Sequence, residues 1–257
     1  MGLTSLFLFT LLGGLAAGLY AAETFLRRTR EGDRPWLISA VAVVLFAVGL
    51  IAAATHISSI PRAFESLFSG TINFGSGMIW EVVVSVVFLV LAAIDLVLSL
   101  MKKETPFVLR AITAVAAVAA IILMGTAYVS VYGNAVWTNA LATVLAFLAG
   151  GLSMGLALFA LLAGADYSDK KLRITSLVVN AVLVVGLGLE VAAFMAAGFS
   201  PVTQVVALII APVVSLALVD FSSKIENKKF VAIAICVATL IGVAVARYAF
   251  YATCTVL

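Results

Sequence analysis

The chain has 257 residues, 65% of them hydrophobic and 11% charged, with a formal net charge of +3. A water-soluble domain of this length cannot hide so much apolar surface in one core, so lipid must be the solvent for most of it. One histidine and two cysteines exclude a ferredoxin-type cluster, a Cys/His zinc site and bis-histidine haem held within the chain.

Eight apolar segments follow in order: residues 3–26, 36–56, 78–101, 107–131, 138–163, 173–197, 202–221 and 229–252. Each can cross the hydrocarbon as a helix, and short of a closed barrel only helices satisfy every backbone group in lipid. The expected fold class is an all-α polytopic integral membrane protein, with one eight-helix transmembrane domain over residues 1–257. No Lys or Arg precedes the first segment, and Arg27-Arg28-Thr29-Arg30 follows it. A cleaved secretory signal has the reverse order, so the segment reads as a retained first span. Gly14-xxx-Gly18 and Gly151-xxx-Gly155 permit close helix contact and read as ordinary bundle packing. Pro212 falls inside the seventh span. Cys236 and Cys254 both fall on the last span, about 27 Å apart along a helix, too far to bond.

The positive charges set an orientation. Arg27, Arg28, Arg30 and Arg34 lie in the first connection. Lys102, Lys103 and Arg110 flank the third, Lys170, Lys171 and Arg173 the fifth, and Lys224, Lys228 and Lys229 the seventh. These are thirteen of the fifteen Lys and Arg residues, all on one side. The positive-inside rule then places both termini, and the second, fourth and sixth connections, outside. Short juxtamembrane basic groups of this kind give no support to nucleic-acid binding. Glu23, Asp95 and Asp220 fall near the inner ends beside these cations and read as exposed ion-pair partners.

The second connection, Ile57 to Gly77, is the longest outer one. Pro61 suits the first turn of a short helix. Phe64, Leu67 and Phe68 would share one face of an interfacial helix, with Arg62 and Glu65 towards water or headgroups. His56 closes the second span and Glu81 opens the third, so His56, Arg62 and Glu81 are gathered by a single loop. Glu190 and Arg247 also fall in the outer half, with Tyr128, Tyr132, Trp137, Tyr248 and Tyr251. Any one of the tyrosines, Trp80 or Trp137 can be explained as part of an aromatic belt at the headgroups. Glu190 is equally consistent with a structural hydrogen-bond partner or a protonated buried acid. The ionisable groups are harder to dismiss, because each charge left alone at mid-bilayer costs about 2.5–3.5 kcal/mol. Mutual pairing would lower that cost and create a polar pocket with apolar walls, the usual form of a small-molecule site.

The stretch His56-Ile57-Ser58-Ser59-Ile60-Pro61-Arg62-Ala63-Phe64-Glu65-Ser66-Leu67 resembles a signature of the membrane-anchor subunits of dimethyl sulfoxide reductases, His-Leu-Gly-x-Pro-x-Arg-Ala-Phe-x-x-Leu. Ile57 and Ser58 replace its Leu-Gly, and one residue is added before Pro61. Ser76-Gly77-Met78-Ile79-Trp80-Glu81 is similar to the family's Ser-x-Glu-Ile element. Ala246-Arg247-Tyr248-Ala249-Phe250-Tyr251 is similar to its Gly-Arg-x-x-Phe-Tyr. Weaker echoes lie at Phe9 to Gly18, at Val131-Tyr132, and at Ala163-Gly164-Ala165-Asp166.

The resemblance implies an electron-transfer role in anaerobic respiration, in a prokaryotic cytoplasmic membrane. Such an anchor binds menaquinol near the outer face, carries no haem or metal, and docks an iron–sulfur subunit. That subunit feeds a catalytic subunit holding molybdenum or tungsten on a bis(pterin) cofactor. The residues expected to hold menaquinol are His56, Arg62, Glu81, Tyr132 and Arg247. Of these, His56, Glu81 and Arg62 are expected to act chemically, with His56 accepting a proton, Glu81 relaying it outwards and Arg62 stabilising negative charge. Two other classes remain open: a proton- or cation-coupled secondary transporter using His56, Glu81 and Glu190, and a purely structural anchor. The chain shows no convincing internal repeat, which counts against a transporter built from inverted halves.

Overall fold

The computed structural model describes residues 2–26, 35–55, 65, 69, 74–131 and 133–255. Eight helices long and apolar enough to span a membrane run through them. They are α1 (Gly2–Leu26), α2 (Pro35–Ala54), α3 (Gly77–Leu100), α4 (Phe107–Val129), α5 (Ala140–Leu162), α6 (Lys170–Ala196), an interrupted α7 (Val202–Leu208 and Val214–Phe221) and α8 (Lys228–Ala252). The expected all-helical class is the one found. His56, Arg62, Tyr132, the Arg27–Arg34 cations and the expected interfacial helix with Phe64, Leu67 and Phe68 lie outside the described residues, whereas Glu65 is described and exposed.

Helix ends follow their caps more closely than hydropathy. The Asp169 carboxylate accepts from the amides of Lys171 and Leu172, both at 3.1 Å, and α6 therefore starts three residues before the expected 173. The Asn139 side chain accepts from the Ala142 amide at 3.3 Å, which delays α5 to Ala140. Side-chain acceptors of this kind satisfy amides that have no partner within the helix.

Pro212 breaks the seventh span in a particular way. It has no N–H to donate, and its ring crowds the carbonyl one turn back. The chain answers with a π-helical turn, Ile209–Val213, and then resumes as α-helix. α8 closes on this turn through Gly242, where an added Cβ would lie 2.6 Å from the Ala211 Cβ.

α1 and α5 form the centre. They are the most enclosed spans, 56% and 67% buried, against 22% for α3. α2, α3 and α4 lie on one side of this pair, and α6, α7 and α8 on the other. The two glycine pairs meet face to face: an added Cβ on Gly18 would sit 2.0 Å from the Gly151 oxygen, and one on Gly155 would sit 2.0 Å from the Gly18 carbonyl carbon. The sequence reading of these glycines as packing positions holds.

Both termini share one end of the bundle. There Ser5 of α1 hydrogen-bonds Thr55 after α2 at 2.8 Å, and Asn134 before α5 donates to Thr253 after α8 at 3.0 Å. The far end carries Lys102, Lys103, Lys170, Lys171, Lys224, Lys228 and Lys229. Asp220 pairs with Arg173 at 2.8 Å, as expected, with both side chains well exposed.

Asp95 corrects its expected role. It is buried at 5% exposure, and its Oδ2 accepts from Ser39 at 2.7 Å and from Tyr20 at 3.0 Å, tying α1, α2 and α3 together. Sequence position beside a basic connection did not reveal that α3 turns this carboxylate inwards.

Candidate functional site

Glu81 lies in the first turn and a half of α3, on the face that continues through Ser85, Phe88 and Ala92 towards the bundle interior. Residues spaced three or four apart share a helix face, and here that face is buried throughout. Glu81 is 7% exposed and Ser85 fully enclosed, yet neither Glu81 Oε1 nor Ser85 Oγ has a hydrogen-bond partner among the described residues. Two adjacent buried acceptors without partners are costly to hold inside a protein.

The next polar groups come from other helices. Tyr128, at the end of α4, and Tyr251, at the end of α8, are both buried, and Tyr251 donates its hydroxyl to Tyr128 at 2.9 Å. Thr10 of α1 contacts the Tyr251 hydroxyl at 3.1 Å. A phenol has one proton; Tyr251 gives its own to Tyr128, so the Tyr128 proton remains to be given onwards, while the Thr10 hydroxyl also donates to the Phe7 carbonyl at 3.3 Å. The Glu81 carboxyl lies within electrostatic reach of both phenols. Thr10, Tyr251, Tyr128 and Glu81 thus bring α1, α8, α4 and α3 to one polar centre at the termini end.

Aromatic packing holds this centre in place. Asn134 Oδ1 accepts from the amides of Val136 and Trp137, at 3.0 and 3.2 Å, and turns the indole inwards. Trp137 Nε1 donates to the Phe250 carbonyl at 2.9 Å, and its ring stacks on Phe250 with centroids 5.4 Å apart. Tyr128 sits edge-on to Trp137, Phe250 and Tyr251. The belt reading therefore fails for Trp137, Tyr128 and Tyr251, which are interior residues. Trp80 and Tyr248 are exposed at 47% and 67%, as a belt requires.

Arg247 stands one helical turn before Tyr251 on the same face of α8. It is 3% exposed; its Nη2 donates to the Phe147 carbonyl at 3.1 Å and its guanidinium lies 4.1 Å from the Phe147 ring centroid. Gly14 makes room for it, since a Cβ there would stand 3.3 Å from Nη2. Beyond Arg247, a cleft of about 220 Å³, counting its mouth, separates α5, α6 and α8; Glu190, Arg247, Phe147 and Leu187 are among its walls.

Of the five expected menaquinol contacts, Glu81 and Arg247 are described, and both act electrostatically on the same phenol pair. His56, Arg62 and Tyr132 lie outside the described residues. Thr10 and Ser85 were missed, because a lone hydroxyl in an apolar run carries no pattern. Among the described residues no three His, Cys, Asp or Glu side chains gather closely enough to hold a metal ion.

These features define a polytopic helical membrane protein whose buried polar groups near the termini converge from four helices on one pair of tyrosines. Residues 2–254 match the family described as DMSO reductase anchor subunit (DmsC), and the chain belongs to that family, whose members are membrane anchors of a DMSO reductase complex. No curated protein matches it.

Proposed function

We propose that the anchor binds menaquinol at the end of the bundle that carries its termini, and that this end faces the extracytoplasmic side of a prokaryotic cytoplasmic membrane. From there the electrons pass to a docked iron–sulfur subunit and on to a molybdenum- or tungsten-bis(pterin) catalytic subunit. The observation that carries the reading is the orphaned pair Glu81 Oε1 and Ser85 Oγ beside the Tyr128–Tyr251 couple. Buried acceptors of this kind fit the hydroxyls of a hydroquinone, and the apolar walls suit its ring and tail. The positive charge concentrated at the opposite end supports the orientation.

Bound menaquinol would supply two electrons and two protons. Neutral His56 accepts a hydrogen bond and then a proton, a role imidazole suits near neutral pH. Glu81 takes up a proton and returns it to the near side. Arg62 would offset negative charge, and Tyr132 would contact the quinol. Tyr128, held by Tyr251, presents a hydroxyl proton towards Glu81 and fixes the position of its carboxyl.

Protons and electrons would leave on the same side, so no net charge crosses the membrane. On the far side of Glu81, Phe88 packs edge-on against Phe46 at 4.7 Å and against Tyr20 at 5.8 Å. This aromatic plug between Glu81 and Asp95 supports a site open to one end only.

The test compares quinol-dependent with dye-dependent turnover of the assembled complex in His56→Ala and Glu81→Gln. Removal of a general acid–base group should lower the quinol-dependent rate about 100-fold while dye-dependent turnover stays. Quinol-dependent turnover at the native rate in both variants would overturn the reading.

A further inference from the structure

We propose that Glu190 is the counter-ion of Arg247, joined to it through a water in the cleft between α5, α6 and α8, and that it thereby positions the guanidinium beside the Tyr128–Tyr251 pair. The proposal rests on the quinol-site reading for its functional consequence but not for the charge pair itself.

The reasoning begins with charge. A guanidinium stays protonated in a protein interior, whereas a carboxyl can neutralise itself by taking a proton. Arg247 is the one cation among the described residues that is buried, and Glu81, Asp95 and Glu190 are the buried acids. Asp95 is held at the far end by Tyr20 and Ser39. Glu81 acts on the two phenols, and the acid that acts on Arg247 is Glu190. Glu190 is 2% exposed and shares the cleft wall with Arg247.

The two side chains make no direct hydrogen bond. Glu190 Oε2, Arg247 Nε and Arg247 Nη1 are all enclosed without a partner. The interior of the cleft has room for a water molecule. Such a water accepts from the guanidinium and donates to the carboxylate, which satisfies orphaned atoms on both sides. Phe147 completes the cradle by taking Nη2 on its carbonyl and the cation on its ring face. Arg247 is thus anchored on Phe147. Its field reaches Tyr128 and Tyr251. Glu190 is a positioning residue, since it acts through Arg247.

Charge and shape are separated by two substitutions. Glu190→Gln keeps the size and removes the charge; Glu190→Asp keeps the charge and shortens the arm. Assembly is read as full-length chain retained in the membrane by immunoblot, together with dye-dependent activity of the complex. Uncompensated burial of Arg247 should cut assembly of Glu190→Gln about tenfold, and Glu190→Asp should stay within about threefold of the native chain. Arg247→Gln should assemble better than Glu190→Gln, because the remaining carboxyl can protonate. The double variant Glu190→Gln/Arg247→Gln should then match Arg247→Gln. Native assembly of Glu190→Gln, weaker assembly of Glu190→Asp than of Glu190→Gln, or a double variant no better than Glu190→Gln would each overturn the pair. Absence of quinol-dependent turnover in the native complex would sink the quinol reading and leave this assembly series standing.

Discussion

Tyr251 donates its hydroxyl to Tyr128 across 2.9 Å, joining the last helix of the bundle to the fourth at a point where both rings are buried. The contact pairs residues 123 positions apart. It fixes where the Tyr128 proton points.

Tyr251→Phe removes that donor and keeps the ring. Tyr128 then loses its orienting bond, and Thr10 loses its hydroxyl contact on Tyr251. The expected outcome is a quinol-dependent rate lower by about tenfold, the equivalent of about 1.4 kcal/mol, with dye-dependent turnover and assembly close to native. An unchanged quinol-dependent rate would remove the phenol pair from the site. Steady-state assays with a menaquinol analogue and a dye donor, side by side, give the answer.

Gly155→Val should prevent assembly. The Cβ alone would enter the backbone of α1 at Gly18, 2.0 Å from its carbonyl carbon, and helix backbones at the centre of the bundle cannot separate without losing the contacts around them. Gly188 offers the contrast on α6: a Cβ there meets nothing within 4 Å, so Gly188→Ala should leave the chain in the membrane at native level. Immunoblots of membrane fractions decide both.

Asp95→Leu should destabilise the protein, because the hydroxyls of Tyr20 and Ser39 would remain buried without their shared acceptor. Each such loss costs about 1–3 kcal/mol. Asp95→Asn keeps an acceptor oxygen and should cost less. Neither should alter the apparent KM for quinol, since Asp95 lies about 21 Å along α3 from Glu81. Thermal inactivation midpoints of the solubilised complex test the first claim, and KM measurements the second.

Gly242→Val should disturb α7 more than its position near mid-helix suggests. The added side chain would run into Ala211 inside the π-helical turn that accommodates Pro212. Pro212→Ala restores the missing amide and should allow a regular α-helix through this stretch. Helical register in α7, read by cysteine accessibility at Val213 and Val214, should change in Pro212→Ala and remain native elsewhere.

Two members of the polar centre could be read along the chain because charge in lipid is conspicuous. Glu81 and Arg247 stood out against apolar neighbours, and the structure places both beside the same phenol pair. Tyr128 and Tyr251 were visible as members of the outer polar set but not as a couple, since aromatic residues near a span end are equally common at headgroups. Thr10 and Ser85 were invisible: hydroxyls in a membrane helix bond to their own backbone easily, and nothing in their spacing distinguishes a site from packing. Asp95 was misjudged because proximity to a basic connection says nothing about which face of α3 it occupies.

Hydropathy, segment length and the placement of lysine and arginine were sufficient for eight helices and their number of crossings, because burying backbone in hydrocarbon leaves few alternatives. Which helices touch was decided by three-dimensional packing alone. Glycine contacts draw α1 onto α5, and that choice brings Thr10, Tyr128 and Tyr251 within hydrogen-bonding distance and turns Arg247 towards Glu190. Partners 100 or more residues apart meet through side-chain fit between helices, a property of surfaces in contact that no single segment carries in its own order of residues.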